Sequence, residues 1–215
     1  MKFLNLDNIL CLSPHPDDAE YSVLGSIIKF IDTNFEIITF SIGGSFDKTT
    51  SDKRMDECKA VWENIENLKG YFFDLDHIKN MGEDEMIYEI EQQYDIEKYD
   101  AIMIPAIDTH QDHKKINGVG MALTRKTKCG IIEYQTPHTL NVWTPNLFID
   151  VGISKDIESG VSIFQTKKER IKKFKSQVNQ PYFTDEAIQD FHKDFQSTRR
   201  GIHFVESFKI ISNYN

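Results

Sequence analysis

The sequence predicts an α/β protein with a mostly parallel sheet and helices on both of its faces. Short apolar runs alternate with segments whose apolar residues recur at helical spacing, and this alternation continues up to Gln135. Polar clusters rich in His and Asp directly follow two of the apolar runs. Parallel strands joined by crossover helices produce this order of elements, and they place functional loops at one edge of the sheet.

The first strand is predicted at Asn8–Ser13 (NILCLS), which is apolar through its centre. Four more strands are predicted at Phe35–Ile42, Tyr71–Leu75, Asp100–Pro105 and Ile131–Gln135. The helices between them are predicted at Ala19–Ile31, Lys53–Leu68, Glu85–Glu97 and Lys114–Lys126. Each connection is long enough for a crossover, so parallel pairing is favoured.

The last third of the chain is less regular. Strands are predicted at Leu147–Val151 and Phe204–Ile211, and helices at Thr166–Lys175 and Asp185–Gln196. No internal repeat and no linker composition interrupts the sequence. We therefore predict that residues 1–215 form one domain.

Composition excludes several classes of function. The net charge of the 215 residues is −9, and no basic run is present, which argues against a nucleic-acid or anionic-membrane partner. No apolar run approaches the ~20 residues of a membrane span, and the first residues do not resemble a signal peptide. Three widely separated cysteines predict neither a disulfide framework nor a CxxC zinc site, so a cytoplasmic protein is expected. The sequence leaves open whether the protein forms a homo-oligomer.

Two polar clusters follow predicted strands. The stretch CLSPHPDDAEYSVLGS places His15, Asp17 and Asp18 just after the first strand. Adjacent carboxylates repel each other and lose solvation, so a fold has no need of them there unless something binds. The second cluster follows the fourth strand in AIDTHQDHKK and contains Asp108, His110, Asp112 and His113. Both clusters are predicted to meet at the carboxyl edge of the sheet.

These residue types are typical of metal-assisted hydrolysis. Two imidazoles and one carboxylate suit a zinc-type site that keeps a position open for water. A carboxylate off the metal can remove a proton from that water, and a further His can donate one. Taken alone, HPDD is equally well a helix-capping turn and HxDH a solvated loop. Their joint position after two parallel strands favours the site.

The motifs resemble those of the LmbE-like (PIG-L) metal-dependent N-deacetylases. The resemblance rests first on SPHPDDAE followed by LGS, and on THQDH after the fourth strand. Arg54 and Glu57 in KRMDECKAVWENI match the family's R-x-x-E. The segment Pro145–Val151 (PNLFIDV), a basic helix ending in KSQ, and RRGIHFVESFKII around Glu206 match its later segments. The likeness therefore covers nearly the whole chain.

The resemblance implies a Rossmann-like three-layer sandwich and a zinc-dependent enzyme that hydrolyses a linear amide. It implies removal of an N-acetyl group from a small-molecule amino-sugar conjugate, with one divalent metal ion, Zn²⁺, as cofactor. The metal ligands that it implies are His15, Asp18 and His113. It assigns Asp17 as general base, His110 as acid or oxyanion stabiliser, and Asp112 as the residue that orients a His ring. Arg54 is implied as a sugar or phosphate contact.

Some features leave alternatives open. Leu24 stands where the family has a glycine pair, and Gln111 where it often has Pro. In segment 136–146 (TPHTLNVWTPN), His138 could hydrogen-bond a sugar and Trp143 could stack on one, or the segment could be a packed surface loop. A metal-dependent phosphoesterase is one alternative function, although such enzymes usually hold two metals ~3.5–4 Å apart. A non-catalytic sugar-binding domain of the same fold is another.

Overall fold

A computed structural model describes residues 1–41, 48–75, 78–152, 160–194 and 203–212. Over those residues the strands are β1 (Asn8–Ser13), β2 (Asn34–Ser41), β3 (Leu68–Leu75), β4 (Ala101–Pro105), β5 (Gly130–Tyr134), β6 (Leu147–Asp150), β7 (Lys193–Asp194) and β8 (His203–Ser212). The helices are α1 (Asp18–Lys29), α2 (Lys48–Trp62), α3 (Glu83–Gln93), α4 (Gln111–Leu123), α5 (Ile163–Ile171) and α6 (Asp185–His192).

The strands form one mixed sheet in the order β3-β2-β1-β4-β5-β8-β6, and β7 pairs with β8. Strands β1 to β5 pair in parallel, whereas β8 runs antiparallel to β5 and β6. The chain goes from β1 outward to β2 and β3 and later returns to place β4 on the other side of β1. The strand order therefore reverses between β1 and β4, which is where open α/β sheets bind ligands.

Both faces of β1 are buried, as expected of a central parallel strand. Ile9 and Cys11 face a core shared with α1, α2, α5 and α6, whereas Leu10 and Leu12 face a second core shared with α3 and α4. All four side chains are fully buried. The predicted mostly parallel α/β architecture with helices on both faces is confirmed.

The observed element boundaries differ from the predicted ones at several places. The second helix ends at Trp62 instead of Leu68, because Asn64 takes a left-handed conformation (φ 59°) and breaks the helical path before β3. The apolar spacing of Ile65 and Leu68 imitated a helix across this turn. Strand β7 was not predicted. Ile42, the Gly43-Gly44 pair and the predicted helix tail at 195–196 lie outside the described residues.

The close approach of α2 to β3 requires a glycine. A Cβ on Gly70 would lie only 2.1 Å from Cζ3 of Trp62, so the indole occupies the space of a side chain. The Trp62 ring also stacks on Phe72, with ring centroids 5.3 Å apart and planes at 27°. The indole is thereby fixed between two strand residues.

A buried ionic cluster ties β8 and α5 to the middle of α1. One carboxylate oxygen of Glu206 accepts the backbone N–H of Gly25 and the other that of Ser26, each at 2.7 Å. Glu206 also pairs with the Lys167 ammonium, which lies 2.7 Å from Nε2 of His192. Burial lowers the pKa of Lys167, although the Glu206 carboxylate acts in the opposite direction. The cluster thereby holds α1 against β8 and α5.

Cys11, Cys58 and Cys129 are free and buried. Among the described residues, no helix is both long and apolar enough to cross a bilayer.

Candidate metal centre

The loops that follow β1 and β4 are folded by short polar side chains and meet at the predicted edge. Ser13 Oγ donates to the carbonyl of His15 at 2.8 Å and accepts the N–H of Ala19 at 3.1 Å, which turns the chain into α1. In the other loop, Asp108 Oδ1 accepts the N–H of His110 at 2.6 Å, and His110 caps α4. The two predicted clusters are brought together.

Three side-chain atoms form the centre of the site. Asp18 Oδ2 lies 3.1 Å from His15 Nδ1 and 3.2 Å from His113 Nε2. Ligands held ~2.0–2.1 Å from a tetrahedral zinc ion are about 3.3 Å from one another, so these spacings match the edges of such a site. His113 and Asp18 are buried and His15 is nearly so. The residues therefore fit a zinc-type cation.

Each imidazole has a second carboxylate on its other nitrogen. Asp112 Oδ2 lies 2.9 Å from His15 Nε2, and Asp108 Oδ2 lies 2.5 Å from His113 Nδ1. Thr136 Oγ1 donates to the same Asp108 oxygen at 2.9 Å. Carboxylates in this position orient metal-binding histidines and fix their tautomer. From the sequence alone, Asp108 has no specific role, and its only signal is its place after the fourth strand.

His110 lies beside these residues and is 46% exposed in its side chain. Its ring centroid is 4.9 Å from those of His15 and His113, and the three histidines offer nitrogens within 4.8 Å of one another, a second possible ligand set. However, His110 Nδ1 accepts the N–H of Asp112 at 3.3 Å, which assigns the proton of the neutral ring to Nε2. A ring in that state donates a hydrogen bond from Nε2, so Asp18 as the third ligand stays the prediction.

The charges of the cluster balance one another without a metal. Burial lowers the pKa of His15, but Asp112 and Asp18 outweigh it and raise that pKa to about 9. Burial also lowers the pKa of His113, and Asp18 and Asp108 raise it to about 10. Burial acts to raise the pKa of Asp18, but the two histidines hold it well below its usual range. A cation bound there would take over the charge of these protons.

Asp17 has an unusual backbone and an open oxygen. Its φ of 111° lies in the region that favours glycine, and its side chain is buried. Oδ1 lies 3.5 Å from Nη2 of Arg54, whereas Oδ2 is buried and has no hydrogen-bond partner among the described residues. Burial, and then the neighbouring Asp18, raise the pKa of Asp17 to about 8, although Arg54 and His15 lower it. A cation bound beside Asp18 would lower this pKa and ionise the carboxyl, and the open oxygen could then accept a proton from water or substrate.

The three predicted substrate contacts have different surroundings. Arg54 is buried, and its Nη2 donates to the Pro16 carbonyl at 2.7 Å. Trp143 donates its indole N–H to buried Glu133 at 2.8 Å. His138 is exposed and packs edge-on against Tyr182, with ring centroids 5.4 Å apart. Arg54 is therefore adjacent to the loop that carries Asp17, and contact of all three residues with substrate stays a prediction.

Replacing Asp108 with Asn is expected to weaken metal binding about 10- to 100-fold, because the His113 ring loses its charged partner. Competition with a chromophoric zinc chelator measures this change without any substrate. Asp95→Asn is the matched control, since Asp95 caps an exposed turn far from the site and Asn can cap equally well. Equal zinc affinity in wild type and Asp108→Asn would contradict the role of Asp108.

Comparison with known proteins gives matches among solved structures. Family models and curated proteins give no match. The solved N,N'-diacetylchitobiose deacetylase of Pyrococcus horikoshii superposes with a TM-score of 0.73 at 16% identity, covering 98% of this chain and 85% of that one. The 4-carboxy-2-hydroxymuconate hydratase GalB of Pseudomonas putida gives 0.74 at 15% identity, covering 95% and 96%. A deacetylase of the A40926 pseudoaglycone gives 0.68 at 17% identity, covering 96% and 98%.

At these identities the likeness establishes the fold alone. The chain has the fold of the LmbE-like deacetylases, so the resemblance inferred from HPDD and HxDH is confirmed at that level. The presence of a hydratase among the matches means that activity must be argued from the side chains.

Proposed function

We propose that this chain, which shares its fold with solved deacetylases, is a metal-dependent N-deacetylase of an amino-sugar conjugate. The observation that carries the proposal is the open Oδ2 of Asp17 beside the group formed by His15, Asp18 and His113. The chitobiose deacetylase supports the substrate class, because diacetylchitobiose is an N-acetylated amino sugar. The bond attacked would be a linear amide.

The residues that would hold the cation are His15, Asp18 and His113, with Asp112 and Asp108 behind the two rings. Two imidazoles and one carboxylate suit Zn²⁺, which we propose as the cofactor, although the same ligands also bind Fe²⁺ and other divalent ions. A bound cation supplies a Lewis acid and lowers the pKa of a coordinated water to about 7.

The remaining residues move protons. Asp17 takes a proton at its open oxygen as water attacks the acetyl carbonyl carbon. His110 donates from Nε2 to the oxygen that gains negative charge at the tetrahedral stage. The carbon–nitrogen bond then breaks as the proton held by Asp17 passes to the nitrogen. Acetate and a free amine leave. Arg54, His138 and Trp143 are the proposed substrate contacts, and Arg54 also holds the Pro16 carbonyl next to Asp17.

Addition of water to a carbon–carbon double bond is the second candidate, favoured by the match to GalB. A carboxylate base and an imidazole acid beside a cation would also serve that reaction. It would leave no amine among the products, so the two functions can be separated by product analysis.

The test uses the full chain loaded with Zn²⁺ and a panel of N-acetylated sugars that includes N,N'-diacetylchitobiose. Primary amine and acetate are expected in equal amounts, and both are expected to fall when the metal is removed. Hydration of a muconate with no amine release would favour the second candidate. Phosphate release from aryl phosphates, with two metal ions per chain, would favour a phosphoesterase and contradict the proposal.

A further inference from the structure

The strained backbone of Asp17 is supported by the first turn of α1, where Asp17 and Glu20 form a capping box. A non-glycine residue at φ 111° and ψ −30° is strained, and such residues persist only where several contacts hold them. The carbonyl of Asp17 accepts the N–H of Tyr21 at 2.7 Å, and this hydrogen bond belongs to the first turn of α1. Its N–H points instead to Glu20, whose Oε2 accepts it at 3.1 Å.

Glu20 is in turn held by a different part of the chain. Its side chain is fully buried, and its other oxygen, Oε1, accepts the indole N–H of Trp62 at 2.7 Å. Both carboxylate oxygens are therefore occupied, one by the residue to be oriented and one by α2. A buried carboxylate with two fixed donors has no freedom to rotate.

The position of Trp62 is set by β3. The indole lies against Gly70, where a Cβ would come within 2.1 Å, and stacks on Phe72. A continuous set of contacts thus runs from Gly70 through Trp62 and Glu20 to the backbone of Asp17. None of the first three residues belongs to the metal-binding cluster.

We propose that Glu20 is a positioning residue that, held by Trp62 on Gly70, fixes the strained backbone of Asp17 and so aims its open oxygen. This inference rests on the proposed function for its effect on catalysis, but the contacts themselves can be tested without a substrate. The variants that test it are Trp62→Phe, Glu20→Gln and Gly70→Ala. Trp62→Phe keeps an aromatic ring at this position and removes the donor to Glu20 together with part of the volume of the indole.

The first measurement is the backbone amide signal of Asp17 in ¹⁵N-labelled, zinc-loaded full chain. We expect the signal to move upfield and its hydrogen exchange to become several-fold faster in Trp62→Phe and Glu20→Gln, because the bond to the carboxylate is weakened. Tyr99→Phe is the matched control. It also removes a donor to a carboxylate, the 2.7 Å bond from the Tyr99 hydroxyl to Glu36, at the other end of the sheet. An Asp17 signal that is unchanged in Trp62→Phe would overturn the inference.

The second measurement separates kcat from KM for amine release. We expect kcat to fall about 10-fold in Trp62→Phe and Glu20→Gln, with KM and zinc content unchanged, because only the aim of the base is altered. Gly70→Ala should act in the same direction; if it does not fold, Trp62→Phe decides. A rise in KM, a loss of zinc, or an unchanged kcat in the presence of an altered Asp17 signal would overturn the inference. If the wild type hydrolyses no acetyl amide, the deacetylase assignment fails by itself, and the amide signal alone decides whether Glu20 holds Asp17.

Discussion

Replacing Asp17 with Asn is expected to lower kcat for deacetylation about 10²- to 10⁴-fold while the protein keeps its zinc. Asn fills the same buried space and can be held by the same backbone contacts, but it cannot accept the proton of the attacking water. Asp17 is separated from the ligand atoms, because Asp18 Oδ2 is the oxygen that contacts both His15 and His113. Zinc per chain is measured by elemental analysis, and kcat by release of primary amine.

Two outcomes would contradict this assignment. Full activity with retained zinc would remove Asp17 from the role of base, and loss of zinc would make it a ligand. Asp112→Asn is the informative comparison, because it should weaken zinc binding through the His15 ring while leaving the base in place.

The Asp17→Asn substitution is also expected to change the stability of the folded protein. The folded pKa of Asp17 is about 8, above the value of about 3.9 in an unfolded chain, because burial penalises the charged form. Stability contributed by the protonated carboxyl is fully present below pH 3.9 and is lost as the pH rises through 8. At pH 8.5 we therefore expect the metal-free Asp17→Asn protein to unfold at a higher urea concentration than the wild type, a gain in stability at the expense of function.

Replacing Lys167 with Met is expected to lower the free energy of unfolding by about 3–5 kcal/mol, because it leaves the fully buried Glu206 carboxylate without its counter-charge. The two N–H groups of Gly25 and Ser26 would still bind that carboxylate, but they do not neutralise it. The double variant Lys167→Met/Glu206→Gln should recover part of the loss, because the pair then leaves no unpaired charge. Urea denaturation followed by circular dichroism measures each value.

Lys172→Met provides the control on the same segment. Lys172 pairs with Asp185 at the surface, so its loss should leave the free energy of unfolding nearly unchanged. Equal effects of Lys167→Met and Lys172→Met would show that the buried pair contributes no more than a surface one, contrary to expectation. A double variant as unstable as the sum of its parts would show that the two residues are not coupled.

The sequence predicts those parts of the molecule whose residue pattern lies within one short, contiguous segment. The apolar strand β1, the polar residues after it and the following amphipathic helix lie within one short segment, so their order fixes where His15 and Asp18 go. The same holds for β4 and His113. Because parallel strands end at a common edge, the meeting of the two clusters follows from the order of elements alone.

What the sequence does not reveal depends on contacts between distant segments. Nothing near Glu20 indicates that Trp62, 42 residues away, would donate to it, and Gly70 carries no pattern that points to an indole. The apolar spacing also predicts the wrong end for α2, because a left-handed residue such as Asn64 has no distinctive neighbours in the sequence. Packing decides these features, and packing is only weakly encoded in periodicity.

The two halves of the metal centre come from parts of the chain 97 residues apart, as the contact between His15 and Asp112 shows. An unfolded chain does not hold those halves together, so a cation bound by both would bind the folded form selectively and link the loops that follow β1 and β4. Thermal resistance is then set partly by the supply of free cation: at a concentration 100 times the dissociation constant the gain is about 2.7 kcal/mol. Under the proposed function, removal of the ion would therefore lower the stability of the folded chain as well as abolish its activity.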